Sequence, residues 1–284
     1  HQLKLSRLQS ELEQEKAALQ KSYELLRGAH QRISLMSGAL SEQLAGMVLD
    51  GKYRLDTKLG SGGFGIVYRG QQVALQRPVA VKVLRLQFPD DAEIHLERFR
   101  REGISTCRVR HRNAIEVLDT GVSAEGIPYL VMELLSGRSL QEELLLHGGT
   151  LPLDRCMEIV EPVCEVLSEV HASGVIHRDI KPENIFLHRS PQGEVVKVLD
   201  FGIASLRDID DAPMTRLTKP QYVLGTAMFM APERVKGGAD IDGRVDVYSV
   251  AIMMYMMLSG ASPFSASYDD NLKIMMAHLN IHAN

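Results

Sequence analysis

The 284-residue sequence predicts an α+β fold in two lobes, the first rich in strands and the second in helices, with a long helix ahead of both. Three observations carry this expectation. Residues 53–132 break into short apolar or alternating runs punctuated by glycine, the pattern of strands and hairpins. From residue 140 onward the apolar positions recur at helical spacing. Before residue 47 there is no proline, and a leucine or isoleucine returns every seventh position. The expected division is 1–49 for the leading helix, 50–135 for the first lobe and 136–284 for the second.

Bulk properties narrow the class. Apolar residues make up 45% and charged residues 24%, as in ordinary globular proteins. A net charge of −4 points to no nucleic-acid partner. Cys107, Cys156 and Cys164 show neither metal spacing nor an obvious pairing, which suits reduced thiols inside a cell. The longest apolar run, 247–258, is too short to span a bilayer and fits a buried helix, and no secretory signal is visible. The first residue is His1, so the chain is expected to be part of a longer polypeptide, lying in the cytoplasm or forming the cytoplasmic part of a larger protein.

The leading helix has one complete seam: Leu5, Leu12, Leu19, Leu26, Ile33 and Leu40. The second seam is half polar: Leu8, Glu15, Ser22, Ala29, Met36 and Gln43. Gly28, Gly38 and Gly46 each weaken the helix by about 1 kcal/mol relative to alanine. Two readings stay open. Residues 1–46 form a homodimeric coiled coil, or a single helix docked on its own domain or connecting to an upstream one. Six basic and five acidic side chains over residues 1–49 make it a solvated helix and not a membrane binder.

Asp50 and Gly51 punctuate the boundary, and Tyr53-Arg54-Leu55-Asp56 opens a strand. Gly60, Gly62 and Gly65 follow at GxGxxG spacing. Dinucleotide-binding folds use the same spacing at a strand-to-helix turn. Here Ile66-Val67-Tyr68 continues as a strand, so the glycines sit in a hairpin whose backbone N–H groups can approach phosphate oxygens closely. Val79-Ala80-Val81-Lys82 ends an alternating apolar strand on a lysine. Asp90-Asp91 make an N-cap for a helix over 92–108 that carries Glu102, with Glu97 as its rival. Two strands are expected over 115–122 and 127–132, and helices over 140–147 and 153–173, the second ended by Gly174.

Chemistry concentrates in His177-Arg178-Asp179-Ile180-Lys181-Pro182-Glu183-Asn184. A carboxylate, a lysine and an amide at offsets 0, +2 and +5 suit the transfer of a phosphoryl group, which asks mainly for positioning and charge neutralisation. A strand over 195–199 then ends in Asp200-Phe201-Gly202, whose carboxylate offers hard oxygens to Mg²⁺. Gly225-Thr226-Ala227-Met228-Phe229-Met230-Ala231-Pro232-Glu233 comes next, and Asp246 opens the apolar helix, with one more helix over 269–278.

These motifs, intact and in this order over about residues 50–280, resemble the protein kinase superfamily, and within it the bacterial Ser/Thr kinases of the eukaryotic type. The resemblance implies the two-lobed protein-kinase fold. It also implies ATP with Mg²⁺, or Mn²⁺ in its place, and serine and threonine hydroxyls of proteins as acceptors. Asp179 would take the hydroxyl proton and Lys181 would offset charge on the γ-phosphate. Asn184 and Asp200 would hold metal, and Lys82, paired with Glu102, would grip the α- and β-phosphates. Gly60, Gly62 and Gly65 would cover the triphosphate. Val67, Ala80 and Phe186 join the nucleotide-binding set, Met132 is the gatekeeper, and backbone groups of Glu133 and Leu135 meet the adenine edge. Thr226 would tie Asp179 to Lys181, and Asp246 would brace the loop backbone. His177 is read as a packing and hydrogen-bonding residue. Phe201 would pack under the 92–108 helix. Thr218, and secondarily Thr215, are candidate phosphorylation sites, with Arg178 receiving the phosphate.

The family continues with further C-terminal helices, one carrying an arginine for Glu233. The second lobe is therefore expected to be incomplete at residue 284, with apolar surface of the 247–258 helix uncovered. A catalytically weak scaffold acting through the leading helix is the competing reading; it would normally lack Lys82, Asp179 or Asp200, and all three are present.

Overall fold

The computed structural model describes residues 44–62, 65–84, 110–201, 227–236, 241–264 and 271–280. Of the leading helix expected over 1–49, residues 1–43 lie outside these, as do the helix expected over 92–108, Glu102, Thr215, Thr218 and Thr226. Residues 44–49 are not helical: they form a turn and a short strand, because Leu44 and Leu49 are buried in the core of the first lobe and the Gly46 N–H bonds the Leu55 carbonyl.

The first lobe is built on β1 (Val48–Leu49), β2 (Tyr53–Gly62), β3 (Gly65–Gln72), β4 (Arg77–Leu84), β5 (Val117–Val122) and β6 (Pro128–Glu133). They form one antiparallel sheet in the order β1-β2-β3-β4-β6-β5. The expected glycine hairpin is present: β2 and β3 pair out to Gly62 opposite Gly65. Gly65 has φ +149°, and a Cβ there would sit 2.0 Å from the carbonyl oxygen of Val83 on β4, so no side chain fits without moving a strand. The inner face buries Leu49, Tyr53, Leu55, Ile66, Tyr68, Val79, Val81, Val83, Tyr129 and Val131. Leu44 joins this core. Asp50 fastens the segment, accepting hydrogen bonds from the Tyr129 hydroxyl (2.6 Å) and the Ala124 N–H (3.2 Å). Burial, followed by the Asp50 carboxylate, pushes the Tyr129 phenol above its ordinary range.

Strand β5 starts at Val117, two residues later than the sequence suggests. Tertiary pairing takes the difference: the Ile115 N–H bonds the Val198 carbonyl at 2.9 Å, and Ala114 forms a parallel bridge with Val198.

The second lobe holds β7 (Gly137–Ser139), α1 (Leu140–Leu146), α2 (Leu153–Ala172), β8 (Ile185–Ser190), β9 (Gly193–Val198), α3 (Pro232–Lys236), α4 (Arg244–Ser259) and α5 (Asn271–Asn280). Strands β7-β8-β9 make a small antiparallel sheet. Ser139 and Glu142 form a reciprocal capping box that starts α1. The apolar stripe of α2 (Cys156, Ile159, Val160, Val163, Val166, Leu167, Val170) packs on Met253 and Met257 of α4 and on Ile185, Leu187, Val196 and Val198 of the small sheet. Gly260, at φ +74°, ends α4 in the left-handed conformation that favours glycine.

Helix α4 is not buried all round. Val245, Val250, Met253 and Met257 face inward, while Val247 is 62% exposed and Tyr255 and Leu258 are exposed with it. An apolar run interrupted only at Tyr248 and Ser249 does not say which face is covered. Among the described residues no helix is long and apolar enough to cross a membrane.

Helix α5 is held by buried His278. Its Nδ1 lies 2.6 Å from the Tyr248 hydroxyl, and its ring lies 4.4 Å from that of Phe264. Burial lowers the imidazole to a pKa of about 4 and raises Tyr248 to about 12, so from about pH 4 up to neutrality both are neutral in the fold. The unfolded chain binds the extra proton between the ordinary histidine value and about 4, so stability is full above that window and falls as pH drops through it. The loss expected is on the order of 3 kcal/mol. Chemical denaturation at pH 7 and pH 4.5 measures it, and His278→Asn should flatten that part of the profile.

Candidate active site

Residues 175–181 carry no backbone ladder, so other groups must hold them. Asp246, in the first turn of α4 and fully buried, supplies two. Its Oδ2 accepts the His177 N–H at 2.8 Å and its Oδ1 accepts the Arg178 N–H at 2.7 Å. Nε2 of His171, near the end of α2, lies 2.7 Å from the same Oδ2. This is the bracing expected of Asp246. The His177 ring turns inward: Nδ1 accepts the Asp179 N–H (3.2 Å), Nε2 donates to the Leu199 carbonyl (2.7 Å), and the ring meets Phe201 edge-on at 4.8 Å. Both ring nitrogens are occupied by backbone, which is a packing and hydrogen-bonding arrangement. The 92–108 helix expected above Phe201 lies outside the described residues.

Around this loop the side chains singled out in the sequence come together. Asp179 is 8% exposed, and its Oδ2 lies 3.0 Å from Lys181 Nζ. Asn184, in the 3₁₀ turn Pro182–Asn184, donates through Nδ2 to the Asp179 carbonyl (2.7 Å) and to Asp179 Oδ2 (3.0 Å). That fixes the amide's orientation and leaves Oδ1 as its acceptor end. The Leu199 N–H bonds the Asn184 carbonyl at 2.8 Å, which sets Asp200 beside this group. Asp200 has φ +60° and its Oδ1 lies 2.6 Å from Lys82 Nζ, a contact between residues 118 apart. Lys82 is 5% exposed; a buried ammonium requires an anion, and Asp200 provides one. The Asp200 carboxylate and the Asn184 amide oxygen are hard oxygen donors of the kind Mg²⁺ takes, so the residues present fit that ion.

Beside the charged group lies an apolar cluster separate from both main cores. It contains Ala80, Ile115, Leu130 and Met132, with Val67, Val117, Leu134, Leu135 and Leu199 packed against them. Four residues expected to touch a nucleotide, Val67, Ala80, Met132 and Leu135, are thus gathered in one place. Phe186 stands half-buried on β8 opposite Ser139 and Lys197 and is outside that cluster. The structure narrows the expectation for Glu133. Its N–H donates to the Glu116 carbonyl at 3.0 Å, so its carbonyl and the backbone of Leu135 are what remain for a base edge.

Several contributors escaped the sequence reading. Lys197 on β9 pairs with the Glu133 carboxylate at 2.6 Å and with the Ala114 carbonyl at 3.2 Å, joining β6 to the strand that leads into Asp200. Asn113, 2% exposed, donates to the Val196 carbonyl at 2.8 Å. Arg234 donates through Nη1 to the Arg178 carbonyl. No local pattern marks these residues, because their partners lie 56 to 83 positions away.

Comparisons with known proteins agree with this geometry. Residues 53–283 match the protein kinase domain family. The chain is 39% identical over 228 residues to serine/threonine-protein kinase Pkn3 of Myxococcus xanthus, covering 80% of this chain and 41% of that protein. It is 36% identical over 246 residues to serine/threonine-protein kinase PknL of Mycobacterium tuberculosis, covering 87% of this chain and 58% of the relative. The chain therefore spans about half the length of these relatives. The crystal structure of a double mutant of the Mycobacterium tuberculosis PknI kinase domain superposes with a TM-score of 0.60 at 26% identity, over 78% of this chain and 79% of that one. The two lobes, the braced loop and these matches place the chain in the protein kinase family, among the bacterial serine/threonine kinases of the eukaryotic type.

Proposed function

We propose that this chain transfers the γ-phosphate of ATP to serine and threonine hydroxyls of proteins. The observation that carries the reading is the meeting of Asp179, Lys181, Asn184, Asp200 and Lys82 beside an apolar cluster of the right composition for a purine. When bound, ATP supplies the phosphoryl group, and Mg²⁺, or Mn²⁺, supplies charge neutralisation.

The chain's own residues do the rest. Asp179 accepts the hydrogen bond of the acceptor hydroxyl and takes its proton as the new bond forms. Lys181 neutralises charge next to that carboxylate. Asp200 and Asn184 present the metal-binding oxygens. Lys82 turns from Asp200 toward phosphate, paired with Glu102. Gly60, Gly62 and Gly65 let the hairpin backbone close over the phosphates. Residues 50–135 form the nucleotide-clamping lobe and 136–284 the loop-bearing lobe, both on the cytoplasmic side where ATP is found. The residues before Leu44 serve as a dimerisation or connecting helix. Thr218 or Thr215 receives phosphate from the enzyme itself, read by Arg178, and Thr226 bridges Asp179 and Lys181.

The test is Mg²⁺-dependent transfer of labelled γ-phosphate to a generic protein acceptor, followed by phosphoamino-acid analysis. Phosphoserine and phosphothreonine are expected. Phosphotyrosine, or no transfer by the chain under conditions where it is folded, overturns the reading. Peptide mapping of the product that finds no phosphate between residues 203 and 226 removes the autophosphorylation sites.

A further inference from the structure

The peptide unit between Arg178 and Asp179 is fixed at both of its polar ends. Its N–H, on Asp179, is accepted by Nδ1 of His177 at 3.2 Å. Its carbonyl, on Arg178, accepts a hydrogen bond from the guanidinium of Arg234, which donates through Nη1. One bond sets the position of a peptide group, while two on opposite edges set its plane. The plane in turn aims the Cα–Cβ bond of Asp179. The peptide needs such holding. Arg178 sits at φ +66°, a left-handed conformation that a side-chain-bearing residue adopts at a cost of about 1–2 kcal/mol. An unclamped chain would relax from it.

Arg234 is itself well seated. It lies in α3, with its N–H bonded to the Ala231 carbonyl at 3.0 Å. The neighbouring Val235 is buried with Ala227, Met230 and Ile274 in a small core of its own. The guanidinium therefore carries the placement of the 227–236 segment directly to the carbonyl preceding Asp179. Its bond is charge-assisted, roughly twice as strong as a neutral one.

We propose that Arg234 is a positioning residue for phosphoryl transfer, holding the Arg178–Asp179 peptide so that the Asp179 carboxylate faces the acceptor hydroxyl. This rests on the reading of Asp179 as the proton acceptor. It assigns to Arg234 a link between the segment that precedes and includes α3 and the turnover step, with no contact to the nucleotide.

Arg234→Gln is expected to lower kcat about ten- to a hundredfold, the scale of a catalytic group misplaced by an ångström, with KM for ATP changed less than twofold. Arg234→Lys, which keeps the charge and one donor, is expected to recover part of the loss. Hydrogen exchange at residues 177–180 should quicken in Arg234→Gln relative to wild type. A kcat equal to wild type in Arg234→Gln overturns the proposal. So does a loss matched by an equal rise in KM for ATP, or unaltered exchange at residues 177–180. If wild type itself transfers no phosphate, the kinase reading fails, while the exchange measurement still decides whether the clamp exists.

Discussion

Asp179→Asn is expected to reduce kcat by about three orders of magnitude, within the 10²–10⁴ that a positioned proton acceptor contributes. The substitution keeps the size and most of the geometry. It removes the basic oxygen and replaces it with an amide that cannot take a proton. KM for ATP should stay within about threefold, because Lys82, Asp200 and the apolar cluster around Met132 are untouched. The melting temperature should fall only slightly. The Asn184 amide still has the Asp179 carbonyl at 2.7 Å, and the substituted side chain keeps an oxygen that can accept from Lys181 Nζ. Steady-state kinetics with saturating ATP decide the matter; a variant retaining a tenth or more of wild-type kcat would show that the proton goes elsewhere.

Asp246→Ala should give the largest loss of stability. Its carboxylate is wholly buried and satisfies the His177 and Arg178 N–H groups as well as His171. Truncation strands two buried backbone donors, each costing about 1–3 kcal/mol, and opens a small cavity. A total of about 3–5 kcal/mol is expected, as for other broken buried polar networks. Asp246→Asn keeps one acceptor oxygen and should lose roughly half as much. Urea denaturation of the two variants beside wild type measures the difference. A cost below about 1 kcal/mol for the alanine variant would mean that the loop is held by other means. Activity should fall with stability, since the same two bonds hold the backbone that leads into Asp179.

The contrast between Asp179 and Asp246 shows what the sequence discloses. Asp179, Lys181 and Asn184 act within six residues of one another, so spacing alone suggests a joint task. The glycine hairpin is equally local: Tyr53 opens its first strand and Ile66-Val67-Tyr68 lie in its second, as the pattern suggests. Asp246 reaches loop residues 68 and 69 positions earlier, and nothing in its surroundings announces that; only likeness to a family did. Lys197 with Glu133, and Arg234 with Arg178, had no such help and were missed. Helix α4 marks a different limit. Composition shows its existence, but an apolar run broken only early, by Tyr248 and Ser249, has no amphipathic stripe to show which side meets the core.

The separations also bear on how the chain folds. The bond between Lys82 and Asp200 closes a loop of 118 residues, and those made by Asp246 close loops of nearly 70. Hairpins and helix turns form in microseconds from near neighbours, whereas contacts this remote wait until both lobes exist. The loop of residues 175–181 is then set in place after the transition state, and weakening it should speed unfolding far more than it slows folding. A chevron plot of Asp246→Ala should put nearly all of its loss on the unfolding limb, and an equal loss on the folding limb would place the loop within the nucleus instead.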